Sequence, residues 1–199
     1  MSEKFNTAKE YKDCLRSYFL SIVTKTDITP VNELIEEFEV VVFPKNKLIY
    51  RAGGFSDSIY FICKGLVRVY YEKEGKEITN LFVTENNIVI GAYSIITGQK
   101  NYSNYEAFEE TIVLKLKYAE LEKYYAKYHS LEHLGRILVE KYYCAFMKKT
   151  YDVLFLSAEE RYQLFIKDHS DLLNRVPLKH IATFLGIQKE TLSRLRSKY

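Results

Sequence analysis

Cysteine is scarce and scattered in this chain. Cys14, Cys63 and Cys144 form no CxxC pair, so zinc ribbons and cysteine-ligated clusters lack the spacing they need. A reducing cytoplasm is the compartment this implies. No hydrophobic run approaches the ~20 residues of a membrane helix, and Met1 to Asn6 carry no signal-peptide pattern, so no membrane partner is expected. A Walker-type glycine loop and a nucleophile–base pair are both missing, so no catalytic residue is assigned and no enzyme activity is expected. One metal-like pattern occurs, His129-Ser130-Leu131-Glu132-His133, which matches His-x-x-Glu-His. Ser130 reads as a helix cap, however, leaving His129 before the helix and Glu132 in its first turn, where an acid suits the helix dipole. No metal site is expected. Internal repeats and low-complexity linkers are also absent.

Charge imbalance is small but placed. The net charge is +3 over 199 residues. Residues 1–156 are neutral overall, whereas Val176 onward holds five basic residues and one acidic. An excess of this sign at one end is the footprint of a phosphate-binding surface. Hydrophobic residues make up 47% of the chain, ample for a core. The 18 tyrosines suit packing and half-wet surfaces.

That basic end carries the clearest pattern. From Leu178 to Leu195, Ile181, Leu185, Leu192 and Leu195 recur at helical spacing on either side of Gly186. Pro177 stands where a first helical residue belongs. Ala182 is small where two helices must cross. Gly186 marks the exit from the first helix, with positive φ. The second helix presents Lys189, Glu190, Thr191, Ser193 and Arg194, mostly on its outer face. The pattern predicts a helix-turn-helix whose polar second helix suits a major groove.

Ahead of it, residues 8–23 read as an amphipathic helix. Thr29-Pro30 opens a second, with threonine as cap and proline as first residue. Strands are predicted near Val40-Phe43, Lys47-Tyr50, Ser58-Cys63, Leu66-Tyr71, Glu77-Phe82, Asn87-Ile90, Tyr102-Phe108 and Thr111-Lys117. Lys64-Gly65 and Glu74-Gly75 are predicted hairpin turns. Eight short strands suggest an antiparallel barrel or jelly roll. Helical periodicity returns from Tyr118 to Tyr128, then in a long helix from Leu131 to about Leu156. Along that helix Leu134, Ile137/Leu138, Lys141, Cys144/Ala145 and Lys148 form one stripe, which the two lysines interrupt. Ser157 and Glu160 form a capping box for the next helix, which runs through Ile166. A polar loop, Lys167 to Arg175, leads into the helix-turn-helix.

The segment Lys189-Glu190-Thr191-Leu192-Ser193-Arg194 resembles the recognition helix of the CRP/FNR family of bacterial transcription regulators, which runs Arg-Glu-Thr-Val-x-Arg. Lys47 to Gly53 resembles the family's early barrel segment, and Ser58 to Val69 its strand-Gly-strand hairpin. Ser157 to Ile166 with Arg175-Val176-Pro177 resembles a subgroup, common in Bacteroidetes-like sequences, with a reduced wing. The resemblance covers nearly the whole chain. It implies an α+β fold: an antiparallel jelly-roll β-barrel with flanking helices as the sensor domain (residues 1–129), a long dimerisation helix (130–156) and a C-terminal helix-turn-helix DNA-binding domain (157–199). It also implies a homodimer on double-stranded DNA, with an unidentified small-molecule effector and RNA polymerase as further partners.

Roles follow residue by residue. Lys189 stands at the family's first arginine, Glu190 suits cytosine N4, and Arg194 suits bidentate guanine readout. Thr191 and Ser193 reach phosphates or bases. Lys179, Arg196 and Lys198 contact the backbone. Gln188 stands where Ser or Thr caps the helix, so that helix start is less well fixed. The family's nucleotide pocket runs roughly Gly-Glu-x-Ala-x-x-x-Gly-x-x-Arg-Ser/Thr-Ala, and here the matching stretch is Gly91 to Ser103. Ala92 replaces the ribose-binding glutamate and Asn101 the phosphate-binding arginine. No cofactor is therefore identified, and cyclic AMP is not expected to bind tightly. The weak pocket candidates are Gly91, Ala92, Tyr93, Asn101 and Tyr102. A competing reading is a ligand-binding barrel whose helical tail makes protein–protein contacts without touching DNA.

Overall fold

The structure, a computed structural model, describes residues 7–22 and 28–198. It divides into two compact units, one of residues 1–69 with 82–139 and one of residues 70–81 with 140–199.

The described residues hold eight strands, as the alternating sequence predicts: β1 (Glu39–Phe43), β2 (Lys47–Tyr50), β3 (Ser58–Lys64), β4 (Val67–Lys73), β5 (Lys76–Val83), β6 (Ile88–Ile90), β7 (Asn104–Ala107) and β8 (Thr111–Lys117). They form two four-stranded sheets in the orders β1-β8-β3-β6 and β2-β7-β4-β5, a jelly-roll arrangement. The Glu74-Gly75 turn is a hairpin with both residues at positive φ, 53° and 72°, the type I′ geometry that matches strand twist. Lys64-Gly65 is not a hairpin turn. It carries the chain from β3 in one sheet to β4 in the other, with Gly65 at φ 104°. The dipeptide signals a turn, but strand pairing is decided by residues far away in sequence.

Period-two alternation divides β3 between two cores. Ile59 and Phe61 face helices α1 (Ala8–Ile22) and α2 (Ile28–Glu36), together with Leu114 and Leu116 of β8. Tyr60 and Ile62 face into the barrel with Tyr50, Val67, Val69, Val83, Val89, Tyr105 and Val113. Leu15, Phe19, Val31, Leu34 and Ile35 close the outer core. Helix α2 already includes Ile28, so Thr29 and Pro30 lie inside its first turn. Proline is tolerated there because its missing N–H has no partner in a first turn. A six-residue helix, α3 (Ala92–Thr97), follows β6, and α4 (Tyr118–Lys127) follows β8.

Helix α5 runs from His129 to Phe155. Ser130 is not its cap: the amides of Leu131 and Glu132 donate to the Tyr128 carbonyl, so the helix opens at His129. His129 sits 3.4 Å from Glu132, and His133 faces Arg136 at 3.1 Å. Leu131 and Leu134 are buried in the outer core.

In the second unit, α6 (Ala158–Asp168) begins with the expected capping box: the Ser157 hydroxyl accepts from the Glu160 amide, and the Glu160 carboxylate accepts from the Ser157 amide. The stretch read as a polar loop contains a further helical turn, α7 (Leu172–Arg175), held by buried Leu172. Pro177 is the N-cap of α8 (Leu178–Leu185), one position earlier than expected, and α9 (Lys189–Arg196) ends the order.

Candidate nucleic-acid interface and sensor pocket

Helices α8 and α9 form the helix-turn-helix. Ile181, Ala182 and Leu185 of α8 and Leu192 and Leu195 of α9 are buried, with Tyr162 and Phe165 of α6, Leu172 and Val176 completing this core. Gly186 ends α8 at φ 66°, its amide donating back to Thr183. No side chain caps α9 at Gln188. Burying two leucines three residues apart fixes the rotation of α9. Its outward face then carries Lys189, Glu190, Ser193 and Arg194, all exposed, with Arg196 beside them. Thr191 is half-buried and lines an open hollow of about 490 Å3 with Ile78, Ala158, Thr183, Gly186, Ile187 and Gln188. Lys179 is exposed on α8. Lys198 lies past the end of α9, 3.9 Å from Glu159.

Tyr70 to Leu81, most of the β4–β5 hairpin, belong to this unit. The Thr183 hydroxyl bonds the Thr79 hydroxyl at 3.0 Å and accepts from the Thr79 amide at 3.2 Å. Lys149 of α5 donates to the Asn80 carbonyl and lies 4.4 Å from the Phe184 ring centroid. Burial of this ammonium pushes its pKa down to about 8. Sequence reading missed all of these residues; the polar threonines and the lysine carry no local signal.

The α5 surface departs from the stripe read in the sequence. Val139, Tyr143, Phe146, Met147, Val153 and Leu154 are exposed and fall on one face at spacings of three and four. Lys141 and Lys148 lie off it, Lys148 bonded to Asp152 at 3.0 Å. That face is apolar apart from exposed Thr150, and neither lysine lies on it.

In the barrel, the pocket candidates separate into two groups. Gly91 and Asn101 come together, and a third residue, Ser56, stands between them. The Asn101 amide nitrogen donates to the Ser56 hydroxyl, and the Ser56 amide donates to the Ser94 hydroxyl at 3.1 Å. Asn101 is further tied through its backbone to Gly53 and Gly54, at 2.8 Å each. Asn101, Ser56 and Ser94 are all buried. A Cβ on Gly91 would fall 2.0 Å from the Ser56 hydroxyl. Tyr93 and Tyr102, by contrast, are exposed, their rings tilted at 45° with centroids 4.7 Å apart and their hydroxyls 3.0 Å apart. Tyr102 raises the Tyr93 phenol pKa through that bond. Ala92 is half-buried at the start of α3. The barrel interior is packed by Tyr50 against Tyr60 and Tyr105 with ring centroids at 5.6 and 5.5 Å. Nothing in the sequence pointed to Ser56, 45 residues from Asn101.

Residues 40–128 match the cyclic nucleotide-binding domain family. Over 77 residues the chain is 39% identical to the global nitrogen regulator of Nostoc sp., covering 37% of this chain and 33% of that protein; the chain thus matches about a third of that relative's length. Among solved structures, the c-di-GMP-responsive global regulator CLP of Xanthomonas campestris superposes with a TM-score of 0.68 at 15% identity, covering 86% of this chain and 91% of CLP. A protein assigned to the CRP/FNR family from Eubacterium rectale gives 0.68 at 16% identity, over 85% and 82% of the two chains.

Proposed function

Because residues 40–128 are a cyclic nucleotide-binding domain in a chain with the fold of CRP/FNR-family regulators, we propose that this protein is a homodimeric, sequence-specific DNA-binding transcription regulator whose barrel does not take up cyclic AMP. The observation that carries the DNA-binding reading is the outward face of α9. Lys189, Glu190, Ser193 and Arg194 share it, exposed, while Leu192 and Leu195 anchor the opposite face. Arg194 offers guanine O6 and N7 a planar two-point donor, and Glu190 accepts from cytosine N4. Lys189 is a point charge without that fork and serves guanine or phosphate. Lys179 and Arg196 reach the backbone beside the groove. Lys198 is held toward Glu159 and contributes least.

The second copy is supported by the exposed apolar face of α5. Phe146, Leu154 and Val139 are 62%, 69% and 69% exposed, more than a solvated helix face carries without a partner. Pairing of two such helices sets two recognition helices on successive major grooves about 34 Å apart, which calls for a near-palindromic operator.

The closed pocket rests on Ser56. A cyclic phosphate needs a charged partner and free amide donors, but Asn101 is neutral and its side chain bonds Ser56. Three tyrosine rings fill the space beside β3 and β7. Thermal-shift titration with cyclic AMP and cyclic GMP is expected to leave the melting temperature unchanged. A saturable rise would overturn this part of the reading.

Anisotropy with labelled genomic DNA tests DNA binding itself. Affinity should fall linearly on log–log axes as salt rises, by ~0.9 units per neutralised phosphate. Salt-independent or absent binding would favour a helical tail that docks on protein.

A further inference from the structure

Two of the three cysteines, distant in sequence, pack against the same core on the outer face of the barrel. Cys14 lies on α1 and Cys63 on β3, and both pack half-buried against the same core of Leu15, Phe19 and Phe61. Helix α1 rests on β3, and a disulfide between the two elements needs Cα atoms ~4.4–6.8 Å apart. A hydrogen-bond chain locates the first thiol. Cys14 Sγ donates to Asn86 Oδ1 at 2.9 Å, and the Asn86 amide donates to the Ile62 carbonyl at 2.9 Å. Asn86 thus bridges the Cys14 thiol and the Ile62 carbonyl, one residue before Cys63, and the two thiols are close enough to interact electrostatically. Asn86 adopts φ 60°, a left-handed conformation that asparagine tolerates, and this turns its side chain back onto α1.

We propose that Cys14 and Cys63 are a dithiol pair that closes to an intramolecular disulfide when the protein meets a low-molecular-weight disulfide such as glutathione disulfide. The pair joins α1 to the sensor barrel and makes that junction redox-sensitive. Burial raises the pKa of both thiols, and the neighbouring Cys14 adds to the rise at Cys63, which reaches about 12. Both groups are protonated at neutral pH, which disfavours metal ligation and direct attack on peroxide. Exchange with a small disulfide remains open to the small thiolate fraction.

The steps balance. Cys14 loses its proton and attacks one sulfur of the reagent, forming a mixed disulfide and releasing one glutathione thiolate, which takes up that proton. Cys63 then loses its proton and attacks the Cys14 sulfur, expelling the second glutathione thiolate, which is protonated in turn. The two protein thiols give up two electrons, and the reagent disulfide is reduced to two thiols.

Cys144 lies exposed on α5 and would report surface reactivity alone, so the test uses the full-length Cys144→Ser protein. Native, reduced protein is incubated with excess glutathione disulfide, quenched by alkylation in denaturant, digested and analysed by mass spectrometry. The expected product is one cross-linked peptide pair containing Cys14 and Cys63. It should be reversed by dithiothreitol, absent from Cys14→Ser and Cys63→Ser, and accompanied by a higher melting temperature. Glutathione adducts on either cysteine without the cross-link would overturn the proposal, as would full alkylation of both.

Discussion

Replacing Gly91 by alanine should damage the barrel out of proportion to one methyl group. The added Cβ would lie 2.0 Å from the Ser56 hydroxyl, 2.5 Å from the Ser56 Cβ and 3.1 Å from the Asn101 amide nitrogen. Gly91 has φ −77° and ψ 60°, so alanine meets no positive-φ penalty and the effect is steric. Ser56 is buried and cannot swing into solvent. Overpacking of a tight interior costs ~1–3 kcal/mol. If Ser56 moves, the buried Asn101 amide loses its partner, an added ~1–3 kcal/mol. The two costs relieve one another in part, so the loss should be about 2–4 kcal/mol. At ~2–4 °C per kcal/mol for a chain of this size, the midpoint should fall by roughly 5–15 °C. Urea and thermal denaturation followed by circular dichroism measure both. In the Gly91→Ala background, Ser56→Gly removes the clashing atoms and should restore the steric share of the loss, while the share from the unpartnered Asn101 amide stays. A loss under ~0.5 kcal/mol, the ordinary surface range, or no rescue by Ser56→Gly, would refute a pocket closed by Ser56.

Other outcomes follow from the same geometry. Arg194→Ala should weaken specific DNA binding by ~1–3 kcal/mol and relax one base position. Urea melts should stay unchanged because Arg194 is exposed; competition assays with operator variants check the specificity. Phe146→Glu should leave monomer stability nearly unaltered, since Phe146 is exposed in the single chain, yet sedimentation should show loss of the dimer. Lys149 carries a pH signature. Its folded pKa of about 8 lies below the unfolded value near ~10.4, so the unfolded chain binds more protons in that window and stability gains as pH rises through it. The urea midpoint of the wild type should therefore climb relative to Lys149→Met between about pH 8 and 9.5, before the tyrosines ionise; parallel profiles would contradict the buried charge.

Much of the fold was legible because its signals are local. The Ser157–Glu160 box, the Glu74-Gly75 hairpin and Gly186 at the helix exit are written within a few residues, and all appear in the structure. Features that need distant partners were not legible. Gly65 reads as a hairpin, but whether β3 and β4 pair depends on β8 and β7, their actual neighbours. The sequence stripe on α5 begins at Leu134, which is spent on the barrel's outer core. The exposed face begins at Val139, where that helix has left the core. In the pocket, Asn101 was identified by position, but its bond to Ser56 joins two separate loops. Tyr93 and Tyr102 are exposed and lie against each other at 45°, a pairing across nine residues that the sequence does not signal.

The most direct test of the central claim is binding-site selection on genomic fragments with the purified full-length protein at about physiological salt, where non-specific binding is already weak. A near-palindrome with guanine and cytosine in each half-site should be enriched, and the enrichment should be lost with Arg194→Ala. Recovery of random fragments, or the same enrichment with and without Arg194, would contradict a recognition helix that reads DNA through α9.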